Sequence, residues 1–176
     1  MNQHFVEKNQ IAEGFLPINM AAGANAGDWV SLKNFGRCAI VIFKGVGTAG
    51  QDPTVTLLQA KTVSGGSSKP LTISRVDKKQ AATNLQAVGS FTKSTPGSPA
   101  TNDTFSTNTW TNSDLAEQAA IVVIDVMAED LDTDNGFDCI QASIADVGTN
   151  SQIGGLLYFL HEPRNAKEAL DSAIEN

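Results

Sequence analysis

The sequence has 176 residues, of which 41% are hydrophobic and 18% charged, and its formal net charge is −7. This length suits a single domain with its own core. The charged fraction lies below the ~25% of an average soluble domain, because Ser, Thr, Asn, Gln and Gly are abundant. Such a composition favours an all-β protein with many turns. Clustered basic residues, which a nucleic-acid site requires, are missing, so we expect no nucleic-acid partner.

Taken in chain order, residues 1–27 are predicted to be an extended N-terminal arm, because "INMAAGANAGD" is rich in small residues. Strand signals follow. The predicted strands cover residues 28–34, 38–44, 54–61, 71–76, 85–93, 104–110, 119–129, 137–147 and 154–162. The continuous apolar run "CAIVIFK" is typical of a central strand. No helix pattern separates the strands, which predicts an antiparallel β-sandwich over residues 28–162.

The tail, residues 163–176, has a different pattern. Its apolar residues follow helical spacing and are Ala166, Ala169, Leu170, Ala173 and Ile174. Asn165 is a candidate N-cap, with Glu168 three residues later. The pattern predicts a short amphipathic helix, packed either on its own sandwich or on a neighbouring subunit.

Charge is unevenly distributed along the chain. Residues 1–93 contain ten Lys and Arg against five Asp and Glu (+5), and residues 94–176 contain two against fourteen (−12). Two interpretations remain open. The halves interleave in the fold and cancel locally, or they form a polarised surface that orients a partner.

The stretch "AEDLDTDNGFDC" at 128–139 contains five carboxylates. It does not fit an EF-hand, because Gly136 comes one residue late and Gln141 stands where the loop needs Glu. A calcium site of another kind stays open, but an acidic, solvent-facing, hairpin-like turn with φ > 0 at Asn135-Gly136 is the favoured interpretation. The glycines of "GVGTAG" match GxGxxG, but Pro53 and its β-branched neighbours do not begin a helix, which argues against nucleotide binding.

Cys38 and Cys139 lie in apolar, strand-like surroundings, which predicts buried thiols outside any disulfide. No apolar run reaches the ~18 residues that span a bilayer, so we expect no membrane association. "MNQHFVEKNQ" does not resemble a signal peptide, which predicts synthesis in the cytosol. We therefore predict no catalytic residues, no cofactor and no metal ligands.

Three segments together resemble small virion proteins of tailed bacteriophages: "GDWVSLKNFGRCAIVIFKGVGTAGQDPTVTLLQAK" (27–61), "AEDLDTDNGFDCIQASIADVGTNSQIGGLLYFLHEPRNA" (128–166), and the "FTK" strand between them. Such proteins are similar to capsid decoration (cement) proteins. The resemblance implies a jelly-roll sandwich on the capsid exterior, assembled in the host cytoplasm. It also implies binding to the major capsid protein and no catalytic residues to carry over.

For such a protein we expect a homo-oligomer, in which residues 1–27 or 163–176 cross to a neighbour; the alternative is that both ends cover their own sandwich. Two other classes stay open. A phage neck, tail or host-attachment protein would share this composition. A carbohydrate-binding β-module would need an exposed aromatic platform, for which Trp29, Trp110 and Tyr158 are the candidates.

Overall fold

The computed structural model describes residues 4–165 and 170–175, and its regular structure is almost entirely β. The strands are β1 Gln10–Asn19, β2 Asn25–Ala26, β3 Val30–Ser31, β4 Phe35–Lys44, β5 Thr54–Ala60, β6 Lys69–Pro70, β7 Val76–Ala81, β8 Thr92–Ser94, β9 Asp103–Ser106, β10 Thr109–Asn112, β11 Ala119–Met127, β12 Cys139–Ile144 and β13 Ile153–Pro163. Short 3₁₀ turns cover Phe5–Glu7, Met20–Ala22, Ala128–Asp130 and Thr133–Asn135. The described residues contain no α-helix.

The strands form two sheets in which every pairing is antiparallel. Sheet A has six strands in the order β1-β13-β4-β11-β7-β8. Sheet B has seven; its main order is β2-β12-β5-β10-β9, with β3 also on β12 and β6 on β5. The predicted antiparallel β-sandwich is therefore confirmed.

The core lies between the two sheets and follows the two-residue period of the strands. In β11, Val122 and Ile124 are buried at 0% and 1% exposure, whereas Ile121 and Val123 point away from the core. Tyr158 of β13 is fully buried, and its hydroxyl oxygen accepts a hydrogen bond of 2.9 Å from the backbone N–H of Ala142 in sheet B. Buried polar groups thus help to join the two sheets.

The N-terminal segment differs from the prediction. Residues 10–19 form β1, an edge strand of sheet A that pairs with β13 from Gln10↔Leu160 to Asn19↔Ile153. Gly14 and Pro17 obscured the strand pattern, because both residues are rare inside strands. The register shifts on either side of Phe15, which accommodates them as irregularities. The predicted arm over 1–27 is therefore wrong for these residues.

The predicted C-terminal helix has no counterpart in the described part of the tail. Pro163 ends β13, and residues 170–175 contain bends but no helix. The remaining positions of the predicted stripe, in 166–169, lie outside the described residues. Ala173 is 2% exposed, and its carbonyl accepts a 2.7 Å hydrogen bond from the backbone N–H of Ser31. This part of the tail covers its own sandwich.

Several predicted strand boundaries also change. Leu71 and Ile73 are buried, but residues 71–75 belong to no strand, and the strand begins at Val76. The weak strand predicted at 85–93 is reduced to Thr92–Ser94. The single strand predicted at 104–110 is the hairpin of β9 and β10. The alternation of apolar residues therefore predicted correctly which side chains are buried, but it predicted less well which residues pair in strands.

Candidate interaction surface

The side of sheet A that faces away from sheet B is apolar across β13, β4 and β11, and Ile11 extends it onto β1, where the exposed Glu13 lies opposite Leu157. Its members share one property: each alternates with a core residue and is not itself buried. We call the following residues the outer apolar face: Ile11, Ala39, Val41, Phe43, Ile121, Val123, Ile153, Leu157 and Phe159.

The register makes this face continuous. Phe159 of β13 lies opposite Ile11 of β1 on one side and Ala39 of β4 on the other. Two residues along, Val41 lies between Leu157 and Val123. Side chains paired directly across antiparallel strands are close enough to touch. The apolar residues therefore form one patch instead of isolated exposures.

The patch is exposed to a degree that is unusual for large apolar side chains. Phe43 is 63% exposed, Ile153 51% and Leu157 42%. Single exposed apolar residues are common, but contiguous groups mark interaction surfaces or aggregation hazards. This face has the character of a protein interface.

A shallow cleft of ≈ 300 Å³ lies at the β1 side of the face. Gly155 contributes no side chain there, and Phe43, Leu157, Leu16 and Pro17 are among the lining residues. A Cβ atom added at Gly155 would lie 3.2 Å from the backbone nitrogen of Pro17. The glycine thus lets β1 approach closely and leaves a recess large enough for an apolar side chain of a partner.

The N-terminal 3₁₀ turn lies beside this patch. The ring of Phe5 meets the ring of Phe159 edge-on, with centroids 6.4 Å apart and an interplanar angle of 73°. This is a favourable geometry for an aromatic pair. Phe5 is nevertheless 57% exposed, so it extends the apolar surface more than it covers it.

Charged side chains lie at one end of the outer apolar face. Asp125 of β11 is 3.6 Å from Arg37 of β4 and 3.9 Å from His161 of β13. His161 is also 4.0 Å from Glu162. Partly exposed charges of this kind add little stability, but they can orient a partner.

Ion pairs show how the two oppositely charged halves of the chain combine. Among the described residues, four pairs join Lys or Arg to Asp or Glu, and three of them connect residues 1–93 with residues 94–176. Both sheets also contain strands from each half. The interleaved arrangement, with local cancellation, is thus the interpretation that the structure supports.

The acidic stretch does not converge on a common point. The Asp132 carboxylate accepts hydrogen bonds from Lys69 and, at 2.8 Å, from the Asn135 amide, and the Lys69 contact holds its pKa below the usual range. The described residues contain no group of three or more His, Cys, Asp or Glu placed to bind a metal. The stretch crosses from sheet A to sheet B, so the predicted hairpin is wrong, although Gly136 has the predicted positive φ of 80°.

The two cysteines are buried and form no disulfide, as predicted. Burial raises the pKa of the Cys38 thiol strongly and that of Cys139 to about 12. Thiolates, the reactive form, are therefore disfavoured at both positions.

The candidate aromatic platform is not assembled. Trp110 and Tyr158 are both 0% exposed and belong to the core. Trp29 is half-buried, and Gly65 lies so close that an added Cβ would be 2.7 Å from the indole nitrogen. These three aromatic side chains do not share an exposed surface.

The sequence contains a signal for the outer apolar face that the strand predictions did not use. "CAIVIF", "AIVVI" and "LLYFL" are apolar at consecutive positions, so both sides of each strand are apolar. The run in β4 predicts a central strand, which it is, but the second side of this strand has no cover within residues 4–165 and 170–175.

Comparison with known proteins adds no relative: no family model, no curated protein and no solved structure matches the chain. Within the described residues, no helix is long and apolar enough to cross a membrane.

Proposed function

We propose that the protein is a virion structural protein of a tailed bacteriophage, a capsid decoration protein that binds the major capsid protein and stabilises the head. The observation that carries the proposal is the outer apolar face of sheet A, a broad surface with no cover in the described chain. The resemblance of residues 27–61 and 128–166 to such virion proteins supplies the class of partner.

The geometry of this face suits a lattice partner. A sheet face is broad, and a partner on it would remove Phe43, Ile153 and Leu157 from water. Burial of apolar surface contributes about 25 cal/mol per Å², and central aromatic residues commonly dominate the binding energy. The charged group around Asp125, at one end, would fix the orientation of the contact.

We propose further that the sandwich is a jelly roll. Sheet A contains the run β1-β13-β4-β11, and sheet B contains the run β2-β12-β5-β10. This is the interleaved order expected of eight strands wound as two Greek keys, an architecture frequent in viral capsid proteins. On this interpretation, β6, β7, β8 and β9 are an insertion between β5 and β10.

A homo-oligomer on the capsid exterior is part of the proposal. Because β1 and Ala173 pack on their own subunit, the contacts between copies are assigned to the sandwich surfaces and not to crossing chain ends. Assembly would take place in the host cytoplasm.

A phage neck, tail or host-attachment protein is the alternative within the same class. Copy number separates the two, because a decoration protein is present in numbers comparable to the capsid protein. Quantitative mass spectrometry of purified virions measures this ratio. A few copies per virion would favour the neck or tail. A carbohydrate-binding module is disfavoured by the burial of Trp110 and Tyr158.

The direct test replaces Phe43 by Ser and measures binding of the purified protein to undecorated heads by co-sedimentation. We expect on the order of tenfold weaker binding, equivalent to ~1.4 kcal/mol. Ile174→Ser is the matched control, since Ile174 is 59% exposed and lies with Trp29 and Gln141 at sheet B, away from the outer apolar face. Equal binding by the wild type and both variants would exclude this face as the docking surface.

A further inference from the structure

A second group of polar residues lies between the sheets, far from the outer side of sheet A. Lys78 of β7 points inward and donates a hydrogen bond to Asp103 of β9. The side chains of this ion pair are 4% and 0% exposed. Asn112 of β10 is 0% exposed and donates from Nδ2 to the same carboxylate oxygen at 2.8 Å. An amine and a carboxamide therefore meet on one buried carboxylate.

The orientation of the Asn112 amide is defined by its neighbours. Nδ2 contacts two acceptors, Asp103 Oδ1 and, at 3.1 Å, the carbonyl of Thr101. Oδ1 faces two donors, the backbone N–H of Asp114 at 3.1 Å and Nε2 of Gln80 at 3.5 Å. The two donors polarise the amide carbonyl and lie where negative charge would develop if a nucleophile attacked Cγ.

The surroundings exclude water. The Trp110 ring is 0% exposed, and the Lys78 amine lies 5.7 Å from its centroid. Asp103 Oδ2 is buried and has no hydrogen-bond partner in the described part of the chain, so it has a lone pair available for a proton. A dry site strengthens each of these electrostatic contacts and prevents competing hydrolysis.

We propose that Lys78 and Asn112 form an intramolecular amide cross-link that joins sheet A to sheet B. Asp103 takes a proton from the Lys78 ammonium, and the neutral Nζ attacks Cγ of Asn112. The Nζ–Cγ bond forms and the Cγ–Nδ2 bond breaks. One of the two protons left on the attacking nitrogen and the proton on Asp103 pass to the leaving nitrogen, which departs as ammonium, and the other stays as the N–H of the new amide. An alkylammonium and a primary amide thus become a secondary amide and ammonium, and the Asp103 carboxylate is regenerated.

One contact carries the assignment of roles. Asp103 Oδ1 touches both the attacking nitrogen and the leaving nitrogen, which is the position that a proton carrier requires. The rigid core also holds the amine and the amide together, which accelerates the reaction because it becomes unimolecular. No oxidant or added reagent is needed.

The intact mass of the folded protein tests the proposal. We expect the wild type to be lighter than its sequence by one ammonia. Trypsin should release residues 76–79 attached to residues 94–164, since no Lys or Arg lies between Lys93 and Arg164. Asn135-Gly136 is a second possible source of ammonia loss in the same peptide, and only the attached 76–79 segment identifies the cross-link.

Variants assign the roles. Asp103→Asn removes the proton carrier and should show the full sequence mass, as should Lys78→Arg. Lys79→Arg is the matched control, because Lys79 is the next residue but faces outward, and it should still lose ammonia.

The mapping of the wild type does not depend on whether a variant folds. Recovery of residues 76–78 and 94–164 as separate, unmodified peptides from folded wild type would overturn the proposal. Loss of water with linkage to Asp103 would overturn Asn112 as the acyl partner.

Discussion

Two lysine side chains of sheet A point into the core. The difference between them shows how the hydrogen-bond acceptor of a buried amine determines the energetic cost of its charge. Lys44, 1% exposed, donates to the carbonyls of Leu115 and Gln118, each at 2.5 Å. Lys78, 4% exposed, contacts the carboxylate of Asp103. Neutral acceptors only partly replace the water that a cation loses, so burial lowers the pKa of Lys44 to about 8. A buried carboxylate gives Lys78 a full counter-charge.

The largest effect is expected from Lys78→Met. Before the proposed cross-link forms, this change leaves Asp103 buried without a cation. Once the cross-link would have formed, the change instead removes the covalent bond between the two sheets, so stability falls in either state. We expect the free energy of unfolding to fall by about 3–5 kcal/mol, as measured by urea denaturation.

The double variant Lys78→Met/Asp103→Leu is the control, because replacing both charges by apolar groups avoids the unpaired ion. Recovery of most of the lost stability would assign the effect to electrostatics. A double variant as unstable as the single one would assign it to the lost covalent link. A loss below about 1 kcal/mol in Lys78→Met would contradict the contrast between the two lysines.

A smaller effect is expected from Lys44→Met. The substitution leaves the carbonyls of Leu115 and Gln118 without their donor, at a cost of about 1–3 kcal/mol. It also removes the charge that burial disfavours, so the two effects partly offset each other. Urea denaturation at pH 7 measures the net change in the free energy of unfolding. A loss as large as that of Lys78→Met would contradict the difference between the two lysines.

The pH dependence of the free energy of unfolding tests the same comparison of Lys44 with Lys78. The pKa of Lys44 is about 8 in the folded protein, against an ordinary value of 10.5. Between these values the unfolded chain binds more protons than the folded one, so the Lys44 contribution to stability rises with pH. We expect the stability difference between wild type and Lys44→Met to shift in favour of the wild type from pH 8 to pH 10. A difference that stays constant over this range would contradict the lowered pKa.

The smallest effect belongs to the exposed pair of Lys69 and Asp132, whose side chains are 37% and 30% exposed. Lys69→Ala removes this ion pair and a contact of the amine with the Phe137 ring, 4.0 Å from its centroid. We expect the loss of stability in urea denaturation to be smaller than that of Lys44→Met, because solvent screens an exposed pair. NMR titration should show the pKa of Asp132 rising toward its usual range. An unchanged pKa would mean that Lys69 is not the cause of its depression.

The sequence predicted the sandwich because apolar alternation reports which side of a strand is buried. It could not predict the inward lysines. Lys78 belongs to "VDKKQ", where two adjacent lysines gave the densest basic spot and only the register decides which one points inward. Asp103 follows a run of turn-forming residues, so its burial depends on the hairpin of β9 and β10. Both positions are set by pairings between distant segments, which local pattern does not contain.

The same limit applies to the outer apolar face. Consecutive apolar residues in β4 indicated that both sides of the strand are apolar, but not which element covers the second side. The β1 strand was missed for a local reason, since Gly14 and Pro17 both oppose strand propensity. Pairing with β13 overrides that propensity.

The irregular register of β1 has a consequence for solubility. An open sheet edge can template further strands, and a long, flat, apolar edge is a nucleus for fibrils. Here Pro17 and the two register shifts interrupt β1, and at the opposite edge β8 has only three residues, Thr92–Ser94. Addition of a strand from a neighbouring copy is therefore disfavoured at both edges of sheet A. A protein concentrated on a surface could in this way tolerate close neighbours and resist amyloid growth.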